Sequence, residues 1–105
     1  MADLTDSDFS NGYLVRIKLS NAILINANFS WANLTDSDLT GSNFSGADFT
    51  GANLKNARLC RANLTGALIN EEQLYNVLTL HEAILDRNLK DALLRTHPQL
   101  FINIK

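Results

Sequence analysis

The sequence predicts an all-β solenoid with a C-terminal α-helical cap. Two observations carry this. A five-residue unit repeats in unbroken register from Ala2 to Asn70, and a stretch of helical spacing follows it. The stretch Ala47 to Leu54, Ala-Asp-Phe-Thr-Gly-Ala-Asn-Leu, shows the unit: a small residue, Asp or Asn, Leu or Phe, Ser or Thr, then a loose position. Its centres are Leu4, Phe9, Leu14, Leu19, Leu24, Phe29, Leu34, Leu39, Phe44, Phe49, Leu54, Leu59 and Leu64, with Ile69 closing fourteen units. Helix faces repeat at about 3.6 residues and strand faces at about 2, so a strict period of five fits neither. A fixed short period is instead the mark of a coil whose stacked units complete one another's core. Five residues per side of a four-sided coil satisfy it. The central residue and the small residue two places earlier then point inward, and the other three point out. Gly41, Gly46, Gly51 and Gly66 take the loose position, where a corner needs positive φ.

These residues resemble the pentapeptide repeat family, written A(D/N)LXX, over Ala2 to Asn70. The resemblance implies a right-handed quadrilateral β-helix. It also implies a structural or binding scaffold, since most members have no assigned activity and a subset inhibits DNA gyrase by mimicking DNA. The expected organisation is a β-helix over residues 1–70, with fourteen units making about 3.5 coils, and a helical cap and tail over 71–105.

Residues twenty apart should stack on one face, about 4.8 Å apart. The expected columns are Leu4, Leu24, Phe44, Leu64; Phe9, Phe29, Phe49, Ile69; Leu14, Leu34, Leu54; and Leu19, Leu39, Leu59. Lys18, Asp38 and Arg58 form an outward column of alternating sign, expected to act as a weak ion-pair ladder. Outward Asn and Asp side chains are expected to brace the turn backbone. The sequons at Asn28, Asn33, Asn43 and Asn63 are by-products of the repeat rather than glycosylation sites.

The stretch from Gly12 to Ile25 departs from the pattern. Ile17 is bulky where a small residue belongs, and Tyr13, Val15, Ile23 and Ile25 are apolar at outward positions, as is Trp31 further on. Either the coil is distorted and tucks some of them in, or they form an exposed patch that meets a partner or a second copy. These five outward residues are the candidate interface.

After Ile69, Asn70-Glu71-Glu72-Gln73 carries a capping box, and Leu74, Val77, Leu78, Leu85, Leu89, Ala92 and Leu93 follow at roughly helical spacing. Thr79 to Glu82 repeats the capping phrase, so the helix is expected to break and restart there. Pro98 ends it at His97 or before, and Leu100, Phe101, Ile102 and Ile104 make an apolar tail. The resemblance implies such a cap, although Leu85-Asp86-Arg87 lacks the Pro/Gly turn expected to follow one.

The chain has 105 residues, a net charge of −2 and one cysteine. The charge favours neither nucleic acid nor an anionic membrane, and a single cysteine gives no disulfide framework. No apolar run approaches a membrane span of about 20 residues, and no signal peptide is evident, so a soluble, reducing, cytoplasmic setting is expected. Cys60 stands alone in the pattern, and His81 and His97 lie far apart in the tail. No catalytic, cofactor or metal-binding constellation is found, and no small-molecule substrate is evident. The expected function is a non-enzymatic structural or protein-binding scaffold, self-associating through an N-terminal coil without a lid. The alternative is a DNA-mimicking inhibitor of a type II topoisomerase such as gyrase. Against it stand the roughly 17 Å rod and the interruption of the surface by Arg16, Lys18, Lys55, Arg58 and Arg61.

Overall fold

The computed structural model describes residues 2–103. The chain winds into four-sided coils. Ten parallel bridges join residues twenty apart, from Asp3 with Ile23 to Asp48 with Leu68. Each bridge is isolated, so one residue per side pairs before the chain turns. The ladder is regular: Leu24 N donates to Asn43 O at 2.8 Å, and Asn43 N donates back to Ala22 O at 2.9 Å.

Corners follow from the loose position. Its residue has positive φ in unit after unit, from Asp6 at 63° to Gly66 at 68°. The amide that follows closes a turn onto the preceding centre, as in Ser7 N to Leu4 O at 3.1 Å. Asn, Asp and Gly tolerate that backbone best, which explains their abundance there. The Asp or Asn before each centre braces the next corner. Its Oδ1 accepts the amide two residues on, as in Ser10 N to Asp8 at 2.9 Å and Thr65 N to Asn63 at 3.0 Å.

Inside, the expected columns are present. Phe9, Phe29 and Phe49 stack with centroids 5.0 and 5.3 Å apart and planes within 9°. Phe44 meets Phe29 and Phe49 edge-on. Phe29, Phe44 and Phe49 are fully buried, each contributing roughly 1.5–3 kcal/mol before entropy. Ser42 sits at an inward small position and opens one turn. Its hydroxyl accepts Ala22 N at 3.0 Å and donates to Leu19 O, standing between the two groups that join directly in other units. Ser37, also inward and fully buried, has no partner for its hydroxyl.

Past Asn70 the structure departs from the sequence expectation. The capping box forms: Gln73 N donates to Asn70 Oδ1 at 2.9 Å, and Asn70 N donates to Gln73 Oε1 at 3.0 Å. It opens only a short 3₁₀ turn, Glu72–Leu74. No α-helix starts here, nor restarts at Thr79, because the coil resumes. Arg58 bridges Thr79 and Asn63 bridges Ile84, each twenty-one residues on. The extra residue is a bulge. Leu78 N still donates to Ala57 O in the old register, whereas Leu59 N donates to Thr79 O in the new one. Two residues, Leu78 and Thr79, thus face Arg58. Leu74 and Leu80 become fully buried centres, while Val77 and Ala83 take inward small positions. The bridging therefore runs beyond residue 70.

One α-helix, α1 (Arg87–Thr96), follows. His97 and Pro98 lie after it, and Pro98–Phe101 forms a second 3₁₀ turn. Leu93 and Leu100 are buried in the same core as Leu74, Leu80 and Leu85. Ile104 lies outside the described residues. No helix among the described residues is long and apolar enough to cross a membrane.

Candidate interaction surfaces

The four bridge columns define four faces, and outward residues sort onto them. The first column runs Asp3, Ile23, Asn43, Asn63, Ile84; the third runs Tyr13, Asn33, Asn53. These are opposite sides of the coil. Tyr13 and Val15 therefore lie across the rod from Ile23 and Ile25, and the candidate residues do not form one lateral patch. Ten residues carry the chain halfway round, so neighbours in sequence are not neighbours in space here. Tyr13 is 79% exposed and Trp31 66%, whereas Val15, Ile23 and Ile25 are half-buried. Ile17 keeps its inward position, packed partly against the core, and the coil around it is regular, with Ile17 N donating to Leu14 O at 3.1 Å.

The two ends of the rod differ. The centres of the first coil, Leu4, Phe9, Leu14 and Leu19, are only partly buried. In the coils below, the residue before each centre donates to the coil above, as Asn28 N does to Ser7 O at 2.8 Å. The corresponding amides of Asp8, Tyr13 and Lys18 have no partner among the described residues. At the other end the tail supplies the missing groups. Leu80 N donates to Leu100 O at 2.7 Å, and Gly66 N donates to the Asp86 carboxylate at 3.1 Å.

The charged column of Lys18, Asp38 and Arg58 is bridged through its backbone. It forms no ion pair among the described residues, where the one approach of a basic to an acidic side chain is His81 Nε2 to Glu82 Oε1 at 3.4 Å. Asp38 instead accepts Thr40 N at 3.1 Å, which turns its carboxylate along the chain. Asp3, Asp6, Asp8 and Asp48 belong to units on the first two faces. The five basic residues up to Asn70 belong to units on the other two. Asp36 and Asp38 belong to units on the third and fourth faces, so the acids of the repeat reach all four.

Hydrogen bonds hold Asp3, Asp8 and Asp48 below the ordinary carboxylate range, chiefly through the side chains of Thr5, Ser10 and Thr50 and then through their amides. Glu71 raises the Tyr75 phenol by accepting its hydrogen bond at 2.8 Å.

The bulge also creates a neighbour that the pentad hid. Arg58 pairs with Thr79, and Arg61 N donates to His81 O at 2.8 Å, so His81 lies one coil below Cys60. Arg61 Nη1 reaches Cys60 Sγ at 3.4 Å. No group of three metal-ligating side chains occurs among the described residues. A shallow hollow of about 260 Å³ lined by Thr50, Leu68, Ile69, Asn70 and Gln73 lies where the 3₁₀ turn meets the rod. It is smaller than the usual small-molecule pocket of about 300–1,000 Å³. Gln73 Nε2 beside it is already committed to Phe49 O and Ala52 O.

A family model described as pentapeptide repeats matches residues 2–41 and 42–67 in eight copies. A search of curated proteins returns no significant match. Among solved structures, trypsin-treated QnrB1, a plasmid-mediated fluoroquinolone resistance protein, superposes with TM-score 0.70 at 19% identity. The match covers 96% of this chain and 46% of QnrB1, so the chain spans less than half of that protein. A pentapeptide repeat protein from the Arabidopsis thaliana thylakoid lumen is 30% identical, over 90% of this chain and 75% of its own, with TM-score 0.39. HetL, a pentapeptide repeat protein involved in heterocyst differentiation regulation in Nostoc, is 29% identical over 78% and 46%, with TM-score 0.35. With its unbroken pentads, its four-sided coils and a family match over more than half its length, the chain belongs to the pentapeptide repeat family of right-handed quadrilateral β-helices.

Proposed function

We propose that this chain is a non-enzymatic, protein-binding scaffold whose first coil is closed by a second copy of itself about a two-fold axis. The observation that supports this is the contrast between the ends. The first coil leaves Leu4, Phe9, Leu14 and Leu19 half-covered and three amides without a partner among the described residues, while the tail supplies partners to the last coil. An apolar cross-section with unpaired edge groups is a surface that another chain completes at little cost. Tyr13 and Val15 lie in the first coil, and Ile23 and Ile25 lie one coil below on the opposite side, so both pairs stand near that end. Sedimentation equilibrium tests the reading: a dimer is expected for the native chain, and Tyr13→Lys with Ile23→Lys should give a folded monomer. A native chain that is monomeric at high concentration, or a double variant that still dimerises, overturns it.

A second reading, inhibition of a type II topoisomerase by imitating DNA, draws support from the fold likeness to QnrB1 and from the acidic side bearing Asp3, Asp6, Asp8 and Asp48. The longest dimension, 33 Å including the cap, is about one turn of duplex. A supercoiling assay with purified gyrase decides it: inhibition supports this reading, and full activity in the presence of excess protein removes it.

A further inference from the structure

Trp31 combines three features that the scaffold does not require. It sits at a corner with φ of 61°, where a bulky side chain is a backbone outlier. Burial does not offset that cost, because it remains 66% exposed. Its indole lies down on the corner below. A Cβ built on Gly51 would fall 2.3 Å from Cε3 and 2.5 Å from Cδ2, so the ring rests on bare glycine backbone. One ring face is thus occupied by the protein and the other is left to solvent. Strain kept without burial points to use rather than packing.

The corner opens onto the third face, whose column is Tyr13, Asn33 and Asn53. Tyr13 is almost wholly exposed. Asn33 and Asn53 each commit Oδ1 to the turn, accepting Thr35 N at 3.2 Å and Lys55 N at 3.0 Å. Their Nδ2 groups donate to no other described residue. The strip therefore offers two aromatic side chains and a row of amide donors, with adjacent coils about 4.8 Å apart.

We infer that this strip binds a neutral pyranose chain. The C–H face of a sugar ring is electropositive and matches the negative face of an aromatic ring. Sugar hydroxyls accept from the free Asn amides. Single-stranded nucleic acid would also stack, but it needs a cationic track, and these units of the third face carry only Arg16 and Lys55, with the acidic Asp36 in the coil between them. A proline-rich peptide needs a groove between aromatics, whereas these residues lie on a projecting corner and the face beside it.

Trp31 is the sole tryptophan, so its emission reports the site directly. Cellohexaose and maltohexaose serve as probes. A saturable shift of Trp31 emission to shorter wavelength is expected with at least one. By calorimetry, Trp31→Gly should abolish binding while its melting midpoint stays at or above the native value, because glycine suits the corner. Asn53→Ala should weaken binding about tenfold, near 1.4 kcal/mol. No saturable change with either sugar at about 10 mM, a level that would detect millimolar affinity, overturns the inference. So does a Trp31→Gly chain that binds as the native one does. An emission that follows protein concentration and ignores sugar assigns the strip to a protein contact and overturns it as well. The indole rests on the third coil, away from the open end, so sedimentation of the same samples tests end closure separately.

Discussion

The first and last coils are written in the same five-residue code and end differently. Leu4 and Leu85 stand at equivalent centres of one column, yet Leu4 is half-exposed and Leu85 lies beneath the tail. The repeat assigns inside and outside to each side chain, and a neighbouring coil completes the burial. It supplies nothing for a coil without a neighbour. Closing the C-terminal end takes residues that break the code: the Leu78–Thr79 bulge, the Asp86 carboxylate standing in for a carbonyl, and the carbonyl of Leu100. At the other end the described residues from Ala2 onward keep the five-residue register.

The largest test probes what the coils share. Phe44→Asp places a charge among Leu24, Leu64 and two phenylalanines. It should cost at least about 4 kcal/mol and abolish the cooperative melt followed by circular dichroism. A native melting curve would contradict a shared core.

The next test probes the difference between the ends. Leu93→Ala removes a fully buried contact of α1 and should cost about 2–5 kcal/mol in denaturant unfolding. Leu4→Ala, at the half-covered end, should cost less than about 1 kcal/mol in the monomer. Equal losses would mean that the first coil is as well covered as the last.

A finer comparison sets two buried serines against each other. Ser42→Ala removes the hydroxyl joining Ala22 N and Leu19 O and should cost about 0.5–1.5 kcal/mol. Ser37→Ala removes a hydroxyl with no partner and should be neutral or stabilising. The opposite ranking would mean that the opened turn is strained.

The smallest effect is that of acid. The carboxyls of Asp3, Asp8 and Asp48 are held low in the folded chain, so their contribution is present above the ordinary carboxylate range. It is lost as pH falls through their depressed folded values, below about pH 4. The melting midpoint should fall slightly in that window. Asp48→Asn, which keeps the accepting oxygen, should flatten the change.

Much of this was legible in the sequence. The centres, the stacked columns, the corner glycines and the Asp or Asn braces all follow from the period alone. The stretch after Asn70 was not legible, for a definite reason. Leu74 and Val77 lie three apart, as every centre and the next small residue do, and with the outward Leu78 this imitates a helix while the backbone is still coiling; the residue inserted at Leu78–Thr79 then takes every later position out of the pentad register. The same insertion set His81 below Cys60, a juxtaposition invisible at a spacing of twenty. Tyr13 and Ile23 are close in sequence, yet two corners separate them. Trp31 did carry a readable signal. It shares a corner column with Asn11 and Gly51, residues that tolerate the required backbone, and a tryptophan among them is out of place.

The isolated bridges have a consequence for how such a chain can change length. Every bridge between neighbouring coils above the bulge is made at a fixed offset of twenty residues. Gaining or losing twenty residues there, as from Ser37 to Asn56, rejoins a corner to an inward residue and leaves each type of contact in place. Rod length can therefore vary in whole coils while the bulge and tail stay unchanged as a terminal fitting. An insertion of any other size would turn the cap to a different side of the rod or face polar residues inward. Duplication of short coding segments is tolerated only in steps that the backbone itself defines.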